Sequence, residues 1–87
     1  MDLAEAYAWY QQKRLGLGDE FLGAVDACVE RIRLSPQMYR TVYRSYRRAN
    51  LHRFPYAVFY EPRPELTTVY AVIHSSRAPE KWRERLM

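Results

Sequence analysis

Three strand-like runs follow one another between Tyr46 and His74, and this succession limits what the chain can fold into more than any other feature. Tyr46–Phe54, Tyr56–Tyr60 and Leu66–His74 are rich in β-branched and aromatic residues; Pro55 and Arg63-Pro64-Glu65 part them with turn chemistry. Connections this short make neighbouring strands antiparallel. Alternation along the first run puts Ala49 and Leu51 on one face and Arg48, Asn50 and His52 on the other. The apolar pair is expected to face a helical layer, leaving the polar three on an uncovered basic face. Met38–Tyr43, just upstream, reads either as a short strand or as an irregular lead-in. Beyond the third run, Pro79 opens a last short helix carrying Trp82 and Leu86.

The first part of the chain supplies that helical layer. Asp2 with Glu5 has the form of a capping box, and Leu3, Ala6, Tyr7 and Tyr10 recur as one face of a helix. Gly16 and Gly18 should stop this helix near Leu15, and Asp19 should start the next. There Phe21, Val25, Cys28, Val29 and Ile32 form a stripe that Leu22 widens, and Ser35-Pro36 ends it. Two helices joined so closely run antiparallel. The fold class expected is therefore α+β: an N-terminal antiparallel helix hairpin on a small twisted antiparallel sheet, with a short C-terminal helix.

At 87 residues the chain is expected to form one domain over its whole length, 1–87. No run approaches the roughly 18 apolar residues of a membrane span, and no apolar leader stands at the start, so the expected location is the cytoplasm. Cys28 falls on a buried stripe and has no second cysteine to pair with. Charge is uneven: up to Pro36 four basic residues stand against six acidic ones, and from Gln37 onward ten stand against four. The sheet half thus carries a positive field suited to an anionic partner. There is no Cys/His cluster for zinc, no glycine-rich phosphate loop, no close acidic pair in the sheet half and no nucleophile elbow, so no metal or cofactor is expected.

Four features in order carry a family resemblance: Trp9-Tyr10 in the first helix, Leu-Gly-Leu-Gly-Asp-Glu-Phe at 15–21, Arg-Phe-Pro-Tyr-Ala-Val-Phe-Tyr at 53–60, and Val-Ile-His-Ser-Ser-Arg-Ala-Pro-Glu-Lys-Trp at 72–82. Together they resemble the RelE/ParE superfamily of bacterial type II toxin–antitoxin toxins, the ParE-like branch in particular. The resemblance implies a growth-inhibiting toxin neutralised by a cognate antitoxin, as a homodimer or a toxin–antitoxin hetero-oligomer. The family usually opens with a β-strand ahead of the first helix, and here that edge strand is missing.

Two activities follow from the resemblance. ParE-like members bind and poison DNA gyrase, whereas RelE-like members are metal-independent ribonucleases that cut messenger RNA on the ribosome; a third reading is an inactive relic that binds only its antitoxin. On the ribonuclease pattern the catalytic candidates are Arg48, Arg77 and His74, whose imidazole could take the acid or base role that other family nucleases give to histidine. Asn50 stands where a second lysine is usual, Ala57 where an arginine is usual, and Trp82 where a tyrosine is typical; indole cannot serve as the acid that a phenol can. This incomplete set places gyrase poisoning ahead of RNA cleavage. For target or antitoxin binding the candidates are Arg48, Asn50, His52, Arg53, Arg77 and Trp82. Each has a duller role open to it: His74 as a structural group, Trp82 as the anchor of the last helix. Tyr39, Tyr43 and Tyr46, interleaved with Arg40, Arg44, Arg47 and Arg48, could stack on and neutralise RNA.

Overall fold

The computed structural model describes residues 3–77 and 86. Helix α1 (Leu3–Lys13) and helix α2 (Leu17–Leu34) precede four strands: β1 (Thr41–Tyr43), β2 (Tyr46–Asn50), β3 (Tyr56–Pro62) and β4 (Thr67–His74). The strands form one antiparallel sheet in the order β1-β2-β3-β4, so β1 and β4 are its edges. Within the lead-in segment Met38–Tyr43 only Thr41–Tyr43 is a strand, and the α+β architecture is the expected one. Among the described residues no strand precedes α1. The final helix lies outside the described residues apart from Leu86, which is helical.

The connection between the helices differs from the expectation. α2 starts at Leu17 rather than at Asp19, because the Gln11 side chain does the capping: its Oε1 accepts from the backbone N–H of Gly16 at 3.0 Å and of Gly18 at 2.7 Å. Helix N-termini leave such donors without intrahelical partners. Gly16 turns the chain at φ 92°. Gly18 lets the two helices approach, since a Cβ there would stand 2.6 Å from Gln11 Cγ and 2.7 Å from the Tyr7 carbonyl oxygen. Asp19, freed from capping, accepts a hydrogen bond from the Tyr7 hydroxyl at 3.2 Å.

The first run ends earlier than its composition suggests. β2 stops at Asn50, Arg53 takes a left-handed φ of 73°, and the chain folds over so that Leu51 N–H donates to the Tyr56 carbonyl at 2.9 Å. Of the expected helix stripes, Ala6, Tyr10, Phe21, Val25, Cys28 and Ile32 are buried. Leu3 and Val29 of those stripes are exposed. Tyr10, Phe21, Phe54 and Tyr56 form the centre of this core, with ring centroids 5.0–6.3 Å apart. Mostly edge-to-face contacts of this kind stabilise beyond simple area burial. The Cys28 thiol lies buried behind it and donates to the Ala49 carbonyl; burial pushes its pKa up, which suits a structural group.

A second apolar cluster corrects the picture of a bare basic face. Ala57, Phe59, Ala71, Ile73 and Leu86 are buried together on the side of the sheet away from the helix hairpin, with Val42, Tyr43 and Tyr46 against them. The register explains it: Tyr56, Val58 and Tyr60 of β3 point to the helices, and Ala57 and Phe59 point the other way. All five residues Tyr56–Tyr60 are buried. A continuous apolar run of this sort is the mark of a strand covered on both faces.

Candidate functional site

The cations of the sheet half are spread over several surfaces. Arg48 lies on the face away from the helices, paired in register with Phe59, and its guanidinium sits 5.6 Å from that ring. Asn50 follows two residues on along the same face, exposed, and its Oδ1 accepts from Arg48 Nε at 3.1 Å. His52 is exposed in the loop after β2. Arg53 belongs to the helical side: it pairs with Glu20 of α2 at 2.9 Å, and Glu20 also holds Arg14 at 2.8 Å. The hydrogen bonds from Arg53 and Arg14 keep the Glu20 carboxyl below the usual carboxylate range.

His74 is on the helical side as well. It pairs in register with Tyr56, whose ring it meets edge to face with centroids 5.0 Å apart. Its ring helps to line a hollow with Trp9, Tyr10, Pro55 and Tyr56. Nδ1 is engaged by Ser76, with the backbone N–H at 3.0 Å and Oγ at 2.7 Å. Arg77 is exposed just beyond β4; its charge opposes the rise that burial imposes on the Tyr56 pKa. Trp82 lies outside the described residues. Of the catalytic candidates, His74 and Arg77 share a turn, in which the Arg77 N–H donates to the His74 carbonyl at 3.1 Å, whereas Arg48 stands on the opposite face of the sheet from His74.

What the sheet does assemble is a cationic edge along β1 and β2. Arg48 N–H donates to the Arg40 carbonyl at 3.2 Å, so these two residues stand side by side across the strand pair. A groove of ≈ 500 Å³ is lined by Met38, Tyr39, Arg40, Val42, Arg48 and Asn50. Behind it Arg31 donates to the Asn50 carbonyl at 3.1 Å and to the Tyr39 hydroxyl at 3.2 Å. Arg47 reaches the Tyr39 carbonyl at 2.5 Å and Gln37 Oε1 at 2.7 Å, which fixes the segment leading into β1. Among the described residues the ion pairs are Arg14–Glu20, Arg53–Glu20, Arg33–Glu30 and Arg63–Glu61, so no carboxylate among them neutralises Arg31, Arg40, Arg44, Arg47 or Arg48. Arg40 is visible in the sequence as part of the Tyr/Arg alternation, yet its pairing with Arg48 depends on β1 being a strand.

Glu61 closes the other end of that face. It accepts from Ser45, from Arg63 at 2.8 Å and from the Tyr70 hydroxyl at 3.4 Å, and these bonds, Ser45 foremost, lower its pKa. No helix among the described residues is long and apolar enough to cross a membrane.

Comparison with known proteins agrees with the architecture. A family model described as "ParE toxin of type II toxin-antitoxin system, parDE" matches residues 1–79. No curated protein and no solved structure matches the chain. The match spans both helices and all four strands. The chain belongs to the ParE toxin family of type II toxin–antitoxin systems.

Proposed function

We propose that this chain is a toxin that inhibits growth by binding DNA gyrase and poisoning it, held in check by a cognate antitoxin, and that it performs no chemistry of its own. The observation that carries this reading is the separation of Arg48 from His74. Cleavage of RNA through its 2′-hydroxyl needs a base, an acid and a cation converging on one phosphate within a few ångströms. Here the imidazole faces the helix hairpin with Nδ1 already engaged by Ser76, and the guanidinium rests over Phe59 on the far side. Ala57 offers no charge between them.

A binding module asks less of its residues: exposed groups on a rigid frame. Asn50, His52 and Arg77 are exposed and Arg48 is half-buried; these four, together with Trp82, are the proposed contacts with target or antitoxin. Arg53, largely exposed although it bonds Glu20, remains among the proposed contacts on the helical side. The test is induction in growing cells. A DNA-damage response without codon-linked message cleavage is expected; cut messages with normal supercoiling would reverse the assignment in favour of RNA cleavage, and no effect on growth would mark an inactive, antitoxin-binding relic.

A further inference from the structure

The two edges of the sheet differ in character. β4 is the edge away from the cations, and among the described residues no strand pairs with its outer side. Its residues Thr67–His74 include no charged side chain and no proline, two of the devices that keep an edge from pairing with another chain. Tyr70 is an extra residue between the Phe59–Ala71 and Tyr60–Val69 pairs, so Val69 and Val72 both stand on the helix side of the sheet, opposite Tyr60 and Val58. Between this row and α2 lies a groove of ≈ 280 Å³ to which Val29, Ile32, Leu66 and Val69 contribute, and Val29, Leu66 and Val69 are exposed there.

Charge selects the occupant. Arg33, which lines the groove, is paired with Glu30, and Arg63, in the turn that leads into β4, is paired with Glu61 at 2.8 Å. An acidic segment therefore finds less attraction here than along β1 and β2. Glu65 stands exposed just before β4 and Arg77 exposed just after it, and among the described residues neither is in an ion pair. An antiparallel pair of β4 strands sets the start of one beside the end of the other, so each Glu65 comes next to the Arg77 of the other copy. No like charges meet along the strands themselves.

We propose that two copies of this chain associate through antiparallel β4 edges, joining their sheets into one, with Leu66 and Val69 of each copy packed in the shared groove and Glu65 of each beside Arg77 of the other. Such a contact is isologous and closes on itself, which uses up both edges. It stands whether the chain poisons gyrase or cuts RNA, because it involves no target.

The test uses the purified full chain without target or antitoxin. Light scattering after size exclusion should give twice the chain mass of 10.5 kDa at high concentration, and hydrogen exchange of β4 amides should slow on concentration while that of β1 does not change. Val69→Lys puts a charge on the edge and should weaken the dimer about ten-fold or more, whereas Met38→Lys, the same exchange at an exposed apolar position ahead of β1, should leave it unchanged. Glu65→Lys should weaken it about three-fold or more, and adding Arg77→Glu should restore it. Circular dichroism melts show whether each variant is folded. A native chain that stays monomeric at high concentration overturns the proposal and leaves the edge to a strand of another protein. It is equally overturned if folded Val69→Lys dimerises as the native chain does, or if Arg77→Glu fails to restore what Glu65→Lys loses.

Discussion

Arg48 and His74 lie on opposite faces of one sheet, the first against Phe59 and the second against Tyr56. Phe59 and Tyr56 are an odd number of residues apart on β3, so their side chains must point to opposite sides. No rotamer change carries either group around the sheet to the other. Arg48 and His74 therefore do not converge on one point of the sheet.

The stability of the fold rests on the aromatic centre beneath the helix hairpin. Phe21 is fully buried among Tyr10, Phe54 and Tyr56, so Phe21→Ala should cost about 3–5 kcal/mol, a large part of the roughly 5–15 kcal/mol that holds a small domain. Tyr60→Phe should cost about 1 kcal/mol, since its hydroxyl donates to the Pro36 carbonyl at 2.7 Å and pins the end of α2 to β3. Urea melts of the two variants should keep this order.

Two glycines of α2 should respond in opposite directions. Gly18→Ala forces a methyl into Gln11 and the Tyr7 carbonyl and disturbs the cap that Gln11 provides, at a cost of about 1–3 kcal/mol. Gly23→Ala meets nothing within 4 Å in the interior of the helix and should stabilise by about 0.5–1 kcal/mol. Thermal melts of the pair, one lowered and one raised, check the packing of the hairpin.

Acid should act through the ion pairs that join the layers. Glu20 has its folded-state pKa depressed by Arg53 and then Arg14, so its contribution is present above the ordinary glutamate value of about 4.3 and is lost as pH falls through the lower folded-state value. Glu61, lowered by Ser45 and Arg63, adds to the same trend. Melting temperature should therefore fall more steeply between about pH 4.5 and pH 3 in the native chain than in Glu20→Gln. Equal steepness in both would show that the Glu20 pairs do not couple to folding.

Much of this architecture is legible in the residues. The helix hairpin, the antiparallel succession and the burial of Ala49, Leu51 and Cys28 follow from periodicity, and they hold. The end of β2 does not follow, because Leu51–Phe54 has strand-like composition and only the left-handed Arg53 and the bond from Leu51 to Tyr56 turn it into a loop. The cap by Gln11 is hidden for a related reason: a side chain six residues ahead of α2 displaces the nearer Asp19. The second apolar cluster has a visible signal, the unbroken run Tyr56–Tyr60, which the alternation of basic residues in β2 masks by pointing to a bare face. Which cations share a face depends on register, and register across β1 and β2 is interrupted by an irregularity between Thr41 and Tyr43 that spacing alone does not reveal.

The claim that this toxin acts by binding is tested most directly with purified DNA gyrase, relaxed plasmid and ATP, beside a ribosome translating a defined message. The account predicts loss of supercoiling and linear, protein-linked DNA on denaturation, with the message intact. Full supercoiling, no cleaved DNA and a message cut on the ribosome would contradict it.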